Sequence, residues 1–244
     1  MLRAVFVVIS LVLAMPCHAQ TDERTAIPET GRLLWGSKMT FDNQPCCTAP
    51  QGVPSADKAE AAVFAAAPGQ ASRDGPILRL KLEQNRTLKI TDCDDQYACE
   101  ADRFRTHRLS AWWPTLHYYV VYVGLWESGM AYLISERDGR TTRVAAVPIL
   151  SPDKRFAVAS DPSVNNGGGV TELLDMRVSP PAPFAPAAKC LHDIGLITVG
   201  TELKWTDNSH VVFSNAQLVG AKRRSLMLTI IDDNNHKAEW ECGS

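Results

Sequence analysis

The side chains best suited to acid–base chemistry or metal binding in this sequence are histidines, and their spacing favours neither role. A zinc site usually draws its ligands from tight pairs, and a metalloprotease helix carries the motif H-E-x-x-H. Neither pattern occurs, and the G-x-S-x-G turn of serine hydrolases is also absent. The spacing therefore predicts no catalytic residue, no bound metal and no cofactor. Beyond residue 19 the histidines are His107, His117, His192, His210 and His236.

A cluster of aromatic residues is the strongest sequence indication of a binding surface. Seven aromatic side chains fall between residues 112 and 132. Because successive residues of a strand face opposite sides of a sheet, one set of these rings is expected in a core and the other at the surface. Exposed Trp and Tyr are frequent binding hot spots, whereas core packing alone is the alternative explanation. The predicted binding residues are Trp112, Trp113, Tyr118, Tyr119 and Trp126.

Two polar segments have compositions that suit ion binding. Residues 92–102 hold five acids, and hard cations such as calcium prefer oxygen ligands. The segment lacks the spacing and the glycine of an EF-hand, so a solvated loop is favoured, with contact to a basic partner as a further alternative. The glycine-rich run 165–169 precedes a strand rather than a helix, which indicates a hairpin loop and not a phosphate cradle.

The overall composition excludes two broad classes of protein. The 244 residues include 25 basic and 27 acidic side chains, which gives a formal net charge of -2, and 45% of the residues are apolar. Proteins that hold nucleic acid through bulk charge are basic, and disordered chains are poor in apolar residues. The composition therefore predicts a folded globular protein that does not bind nucleic acid.

Residues 1–19 are predicted to be a cleaved export signal. Arg3 precedes twelve mainly apolar residues, Pro16 ends that run, and the small side chains of Cys17 and Ala19 fit cleavage after Ala19. The run is shorter than the roughly 20 residues of a membrane span. Lipid attachment at Cys17 is the alternative, although Pro16 stands where bacterial lipoproteins have a small residue. We therefore expect a periplasmic or secreted protein without stable membrane insertion.

The cysteines beyond residue 19 are predicted to form disulfide bonds. Six remain, and an even number in an exported chain is typical of a disulfide framework. One pair closes a short polar loop, a second brackets the C-terminal segment, and the third pair, two adjacent residues, is assigned by remainder. Metal and redox roles are disfavoured because no C-x-x-C motif occurs. The predicted pairs are Cys93–Cys99, Cys190–Cys242 and Cys46–Cys47.

Strands are the elements expected to position these residues. Residues 20–75 are rich in proline and glycine and indicate an irregular N-terminal arm, with one short helix at 57–67 capped by Asp57. From 76 to 244, short β-branched and aromatic runs alternate with turn signals, as in an all-β domain. The predicted strands are 77–82, 87–90, 118–126, 131–136, 141–147, 155–160, 170–176, 194–199, 211–214 and 226–231.

Two segments repeat one order of residues: an apolar residue, Ser or Thr, an acidic turn, a basic residue or His, and an apolar strand. They are 149–158, ILSPDKRFAV, and 204–213, KWTDNSHVVF. The first resembles the SPDGKRFA element that opens blades in TolB-like and WD40-like β-propellers, and the second is similar to its WSPDGSRIAF form. Residues 173–176 resemble the strand that follows in a blade.

The resemblance implies a small or incomplete β-propeller-like stack of antiparallel sheets. The glycine that follows the acid in such blades is missing after Asp153, and the WD dipeptide is absent. A blade needs about 40 to 50 residues, so the chain has room for about four of them. A plain turn into a hairpin is the alternative explanation of each segment.

Three functions from different classes fit these observations. The sequence favours an exported non-catalytic β-scaffold that binds a protein partner, because the repeats come without a recognisable catalytic set. An inhibitor or immunity protein against an exported toxic enzyme is the first alternative, since small size, export and disulfides also fit it. The second is a hydrolase at the propeller mouth, with His107, His117 or His210 beside a buried carboxylate. No oligomeric state is predicted.

Overall fold

The computed structural model describes residues 58–92, 105–125, 128–161, 170–184, 186–187, 196–197, 202–218, 224–232 and 234–242. By its internal contacts the chain divides into two units, Met1–Arg32 and Leu33–Ser244, and every described residue belongs to the second. The predicted export signal, the acid-rich loop beyond Asp92 and the glycine-rich run 165–169 lie outside the described residues.

The described backbone forms one α-helix, α1 (Lys58–Ala66), and a series of short strands. The helix lies inside the predicted range 57–67. The strands are β1 (Ala71–Asp74), β2 (Ile77–Lys81), β3 (Thr87–Thr91), β4 (Thr106–Trp113), β5 (Tyr118–Gly124), β6 (Gly129–Ser135), β7 (Thr141–Val144), β8 (Ile149–Leu150), β9 (Phe156–Asp161), β10 (Val170–Asp175), β11 (Ala182–Phe184), β12 (Leu196–Ile197), β13 (Glu202–Trp205), β14 (His210–Leu218), β15 (Arg224–Asp232) and β16 (Lys237–Cys242).

The strands form four antiparallel sheets that follow one another along the chain. The first sheet has the order β1-β2-β3, the second β4-β5-β6-β7 and the third β11-β10-β9-β8. The fourth has the order β12-β14-β15-β16, and β13 also pairs with β14. Short connections between neighbouring antiparallel strands explain why sequential strands pair so regularly. The predicted all-β class is confirmed, and none of the sheets closes on itself within the described residues.

Three apolar cores join these sheets in series. The first lies between the first and second sheets and contains Leu80 and Tyr119. The second lies between the second and third sheets, where Leu133 packs near Leu174. The third lies between the third and fourth sheets and includes Phe213. The two middle sheets therefore bury both faces, which requires apolar residues in unbroken runs.

Strand β9 shows how one strand serves two cores. Phe156 and Val158 belong to the third core, whereas Ala157 and Ala159 belong to the second. This is the two-residue alternation of a strand, with larger side chains on one face and alanines on the other. The sheet-to-sheet distance can thus differ on its two faces.

Some strands carry no clear sequence signal and were not predicted. Strand β1, with the sequence ASRD, falls in the predicted irregular arm, yet it pairs with β2 along its whole length. Strand β4 is interrupted by a bulge between Leu109 and Ala111, which breaks its alternation. Helix α1 also packs on the first core through Val63 and Phe64. Part of the predicted arm therefore belongs to the β body.

Of the described residues, none lies in a helix that is long and apolar enough to cross a membrane.

Candidate functional site

The two repeated segments of the sequence form equivalent turns at the entrance of β9 and β14. In the first turn the Asp153 carboxylate accepts hydrogen bonds from the Ser151 hydroxyl, at 2.7 Å, and from the backbone N–H of Arg155, at 3.1 Å. In the second turn the Asp207 carboxylate accepts from the backbone N–H groups of Ser209 and His210, at 2.8 and 2.9 Å. Both are the local acid-to-backbone bonds that favour Asp in turns.

Lys154, directly after Asp153, has a backbone conformation that glycine favours. Its φ of 62° lies in the left-handed region, which glycine enters without the steric cost that other residues carry. The first turn therefore places a lysine where glycine would be less strained.

The two turns touch each other. The backbone N–H of Asp153 donates to Oδ1 of Asn208 at 3.2 Å. Because a backbone N–H can only donate, the amide oxygen of Asn208 must face it, and the NH₂ group of Asn208 points to the other side. This contact links the entrance of the third sheet to that of the fourth.

A cleft of about 490 Å³ lies at this end of the third and fourth sheets. Its lining combines exposed cations, polar side chains of the second turn and apolar side chains at the ends of β9 and β15. Ile231 is 56% exposed, which is unusual for so large an apolar residue. The lining residues are Arg155, Phe156, Asn208, Ser209, Ile230, Ile231 and Lys237.

At the cleft end of the third sheet, each of two arginines forms an ion pair with the aspartate two residues before it. Arg155 pairs with Asp153, and Arg177 donates to both oxygens of Asp175 at 2.9 and 2.8 Å. Both guanidinium groups lie over the Phe156 ring, with Cζ 5.6 Å and 5.1 Å from its centroid. Such cation–π geometry adds to the ion pairs, so these cations have fixed positions.

Asp175 joins the third sheet to the hairpin before β16. Its Oδ2 lies 2.9 Å from Nε2 of His236, and the His236 ring stacks on Phe184 at 5.2 Å. Burial by itself would raise the pKa of Asp175, but hydrogen bonds from Arg177 and His236 and the Arg177 charge outweigh it and lower the pKa to about 2. The carboxylate is therefore charged at neutral pH and acts as an acceptor.

A second polar cluster is buried beside the first core. It consists of Glu60 of α1, Arg73 of β1, Asp92 after β3 and His107 of β4, and the three titratable partners of Arg73 are at most 3% exposed. Arg73 donates to Glu60 at 2.8 and 2.9 Å and to Asp92 at 3.0 Å, and it also bonds the His107 carbonyl. His107 Nδ1 lies 3.0 Å from the Asp92 carboxylate.

This buried cluster supplies hydrogen-bond acceptors to backbone N–H groups on the outer edge of β4, the first strand of the second sheet. The backbone N–H of His107 donates to Asp92 at 2.7 Å, and that of Leu109 donates to Glu60 at 2.8 Å. An edge strand otherwise presents unpaired backbone groups. None of the four side chains lines the cleft, so the cluster is a structural joint between the first two sheets.

Ser209 lines the cleft, and its contacts with the neighbouring His210 lack the arrangement of a hydrolytic triad. In a triad the acid binds Nδ1 of the histidine and the serine binds Nε2. Here the Asp207 carboxylate and the Ser209 hydroxyl both approach Nδ1 of His210, at 2.8 and 3.3 Å, and the same hydroxyl donates to Asp207 at 3.1 Å. These contacts stabilise the local turn and do not form a triad.

The predicted aromatic binding residues are distributed between two cores. Tyr119 is fully buried in the first core, and Tyr118 is 5% exposed in the second, so their rings serve packing. Trp112 and Trp113 are half-buried against the same two cores. Trp126 lies outside the described residues. A binding role for the two half-buried tryptophans stays a prediction.

The predicted disulfides also stay predictions. Only the backbone of Cys242, at the end of β16, is described, and the remaining cysteines lie outside the described residues. The described part of the chain contains no group of three or more His, Cys, Asp or Glu side chains arranged to hold a metal.

The cleft cations were not singled out by sequence reasoning, although a signal for them exists. Among the described residues the spacing Asp-x-Arg occurs at Asp138–Arg140, Asp153–Arg155 and Asp175–Arg177, and each aspartate accepts a hydrogen bond from the backbone N–H two residues later. Ile231 and Lys237 carry no comparable signal, because only the register of β15 with β16 brings them to this end of the sheet.

No protein-family model, no curated protein and no solved structure matches the chain.

Proposed function

We propose that this protein is an exported, non-catalytic β-scaffold that binds a protein partner through the cleft between its third and fourth sheets. The observation that carries the proposal is the cleft lining, which combines the half-buried Arg155, the exposed Lys237 and the exposed aliphatic side chain of Ile231. Exposed apolar side chains with a polar rim are the composition of a protein-binding surface. The predicted export signal at residues 1–19 supports export.

The geometry of His107 and of His210 favours binding over hydrolysis. His107 has the buried carboxylate that a catalytic base would need, but it lies away from the cleft and its partner bonds the edge of β4. His210 follows the cleft residue Ser209, but its acid and hydroxyl neighbours share one ring nitrogen. A triad instead places the acid and the hydroxyl on opposite ring nitrogens of its histidine.

The serial packing of sheets supports the propeller-like interpretation of the fold. The second and third sheets are four-stranded meanders that pack face to face, as consecutive blades do. The acidic turns enter the third and fourth sheets at equivalent positions, and Lys154 has a backbone conformation that glycine favours. Blade ends of this kind present their turns on one surface, where a partner can contact several at once.

Affinity capture of exported proteins tests the proposal. The full-length protein, with its own leader and a C-terminal tag, would be recovered from the exported fraction and immobilised. Exported proteins of the same cells would then be passed over it, and the retained ones identified by mass spectrometry. We expect one protein to bind saturably with a micromolar or tighter Kd in calorimetry, because a preformed cleft needs little ordering.

The same protein unfolded in urea serves as the capture control. Retention of nothing beyond this control contradicts the proposal. Failure of the protein to reach the exported fraction contradicts the export part of it. A retained enzyme whose activity falls on binding would narrow the function to inhibition or immunity.

A further inference from the structure

We infer that the outer face of the first sheet is an electrostatic docking surface for a membrane surface rich in anionic phospholipid. The inference goes beyond the proposed function, because this face belongs to β1, β2 and β3 and none of its residues lines the cleft. It is carried by three cations that share one side of two neighbouring strands. They are Arg79, Lys81 and Lys89.

Strand alternation places the three cations on the side of the sheet that faces away from the first core. In β2, Leu80 is buried in that core, so its neighbours Arg79 and Lys81 point to the opposite side. In β3, Ile90 is buried in the same core, so Lys89 also points away from it. The two lysines are exposed, and the Arg79 side chain is 33% exposed.

The register of the sheet puts two of these charges directly opposite each other, because Arg79 pairs with Lys89. The Asp92 N–H donates to the Pro76 carbonyl at 2.9 Å, which marks a hydrogen-bonded pair three positions away. Since such pairs alternate with non-hydrogen-bonded ones, Arg79 and Lys89 form a non-hydrogen-bonded pair, in which side chains lie closest. Like charges at such positions destabilise a sheet. An anion that contacts both side chains offsets this repulsion.

The three strands of the sheet offer little negative charge to balance these cations. Asp74 of β1 lies 3.5 Å from Arg79, but its side chain is 79% exposed, so water weakens the ion pair. Lys81 and Lys89 form no ion pair with any described residue. The outer face of these strands therefore carries three positive charges and one negative charge.

The chemistry of the face favours a lipid surface over an acidic peptide. Two of its three cations are lysines, whose ammonium group is a flexible point charge without the planar fork by which arginine recognises a fixed carboxylate. Such point charges suit lipid headgroups, which have no fixed positions. Thr87 is exposed and lies opposite Lys81, so its hydroxyl can donate to a phosphate oxygen. Because all these side chains project from one side of a sheet, a plane of headgroups can contact them together.

The net charge of the protein does not prevent such a contact. The formal net charge is -2, so attraction to an anionic membrane has to come from a local surface. The potential of such a membrane falls off within a Debye length, about 10 Å in dilute salt, so charges next to the lipid dominate. A contact through charge requires no insertion of the chain into the bilayer, which agrees with the predicted lack of stable membrane insertion.

Cosedimentation with sucrose-loaded vesicles tests the inference. Purified full-length protein would be mixed with vesicles of phosphatidylcholine alone, or of equal parts phosphatidylcholine and phosphatidylglycerol. At low salt we expect binding to the anionic vesicles to be tighter by about tenfold or more, and high salt should abolish the difference. Each cation near an anionic surface contributes a factor of about five. Lys89→Gln should therefore weaken binding about fivefold, and the double variant Lys81→Gln/Lys89→Gln about 25-fold.

Two substitutions that make the same charge change outside the face are the matched controls. Lys204→Gln lies on β13, Lys237→Gln lines the cleft, and both side chains are exposed. Neither should change the affinity for the vesicles appreciably, because salt screens charges that lie away from the lipid. Asp74→Asn removes the negative charge of the face and should strengthen binding about fivefold.

Urea unfolding separates docking from a structural role of Lys89. Lys89→Gln removes a like charge opposite Arg79, so its unfolding midpoint should equal or exceed that of the wild type. Weaker vesicle binding without any loss of stability assigns the lysine to docking.

Three results would overturn the inference. The first is equal affinity of the wild type for both kinds of vesicle at low salt. The second is an equal loss of affinity in Lys89→Gln and in the two control variants. The third is binding to soluble polyglutamate, with the same dependence on Lys81 and Lys89, but not to the anionic vesicles, which would assign the face to an acidic polypeptide. Failure to capture a protein partner contradicts the proposed function and leaves the vesicle result unaffected.

Discussion

At the scale of single residues, Asp175 illustrates how the cleft end is held in place. One carboxylate accepts from the backbone and the side chain of Arg177 and from His236. These groups come from the third sheet and from the hairpin that precedes β16. Because the carboxylate side chain is only 4% exposed, water contributes little, and the charged form depends on these protein donors.

Asp175 should make the stability of the protein depend on acid pH. Its folded pKa of about 2 lies below the ordinary value of 3.8, so its contribution is complete above about pH 4 and is lost as the pH falls toward 2. We expect Asp175→Asn to reduce the free energy of unfolding at pH 7 by about 1 to 2 kcal/mol. Urea unfolding at pH 7, 4, 3 and 2 should show the difference from wild type shrinking toward zero.

Asp138→Asn is the matched control for this measurement. Asp138 has the same Asp-x-Arg contact to Arg140, but its side chain is 44% exposed and its ion pair is screened by water. Its substitution should change stability by less than about 0.5 kcal/mol at any pH. A difference for Asp175→Asn that persists at pH 2 would contradict the assigned role of its charge.

At the scale of elements, the edge of β4 is the place where two sheets are joined by polar contacts. Carboxylates of Glu60 and Asp92 accept from its backbone N–H groups, and Arg73 forms an ion pair with each carboxylate. These contacts take the place of strand pairing at this edge. The first sheet and α1 thereby cover backbone groups of β4 that could otherwise pair with a strand of another molecule.

Arg73→Met should therefore be strongly destabilising. It leaves two buried carboxylates without their cation, which costs about 3 to 5 kcal/mol for a broken buried ion pair. Chemical denaturation followed by tryptophan fluorescence measures this loss. Arg79→Met is the control on the neighbouring strand β2, where the pair with Asp74 is largely exposed and should be worth at most about 1 kcal/mol. Equal losses of unfolding free energy in the two variants would contradict the assigned role of Arg73 at the edge of β4.

The sequence predicted strands best where burial on both faces demanded apolar runs. The β-branched and aromatic run YYVVYVG predicts strand β5, and the structure explains the run because Tyr118 and Tyr119 face two different cores. Strand β1 was missed because its Arg73 is buried by ion pairing, a long-range effect that a local pattern does not contain.

The candidate site was predicted less well than the fold, for a similar reason. The acidic turns at Asp153 and Asp207 were recognised as repeats, and they do border the cleft. The cations and Ile231 come together only through sheet register and packing. The clustering of aromatic residues predicts a binding surface, but burial in the cores accounts for Tyr118 and Tyr119.

At the scale of the whole molecule, the three cores form a linear series. Each core contains side chains of two consecutive sheets. Phe213 lies in the third core and Ile134 lies in the first. Stability in such a series is approximately a sum of sheet and nearest-neighbour terms, as in repeat proteins. A local weakening should then lower protection near the affected core and leave distant sheets largely unchanged.

Hydrogen exchange measured by mass spectrometry on Phe213→Leu and Ile134→Val tests this arrangement. Each substitution removes about 1 kcal/mol of packing, which corresponds to roughly fivefold faster exchange where opening is local. Phe213→Leu should speed exchange in β9 and β14, and Ile134→Val should do so in β2 and β6, because these strands border the weakened cores. If either variant accelerates exchange equally in all four sheets, the stack opens as one cooperative unit. The cleft would then open only together with the most distant sheet. In a serial stack, by contrast, the cleft end can open locally to adapt to a partner while the first core stays closed.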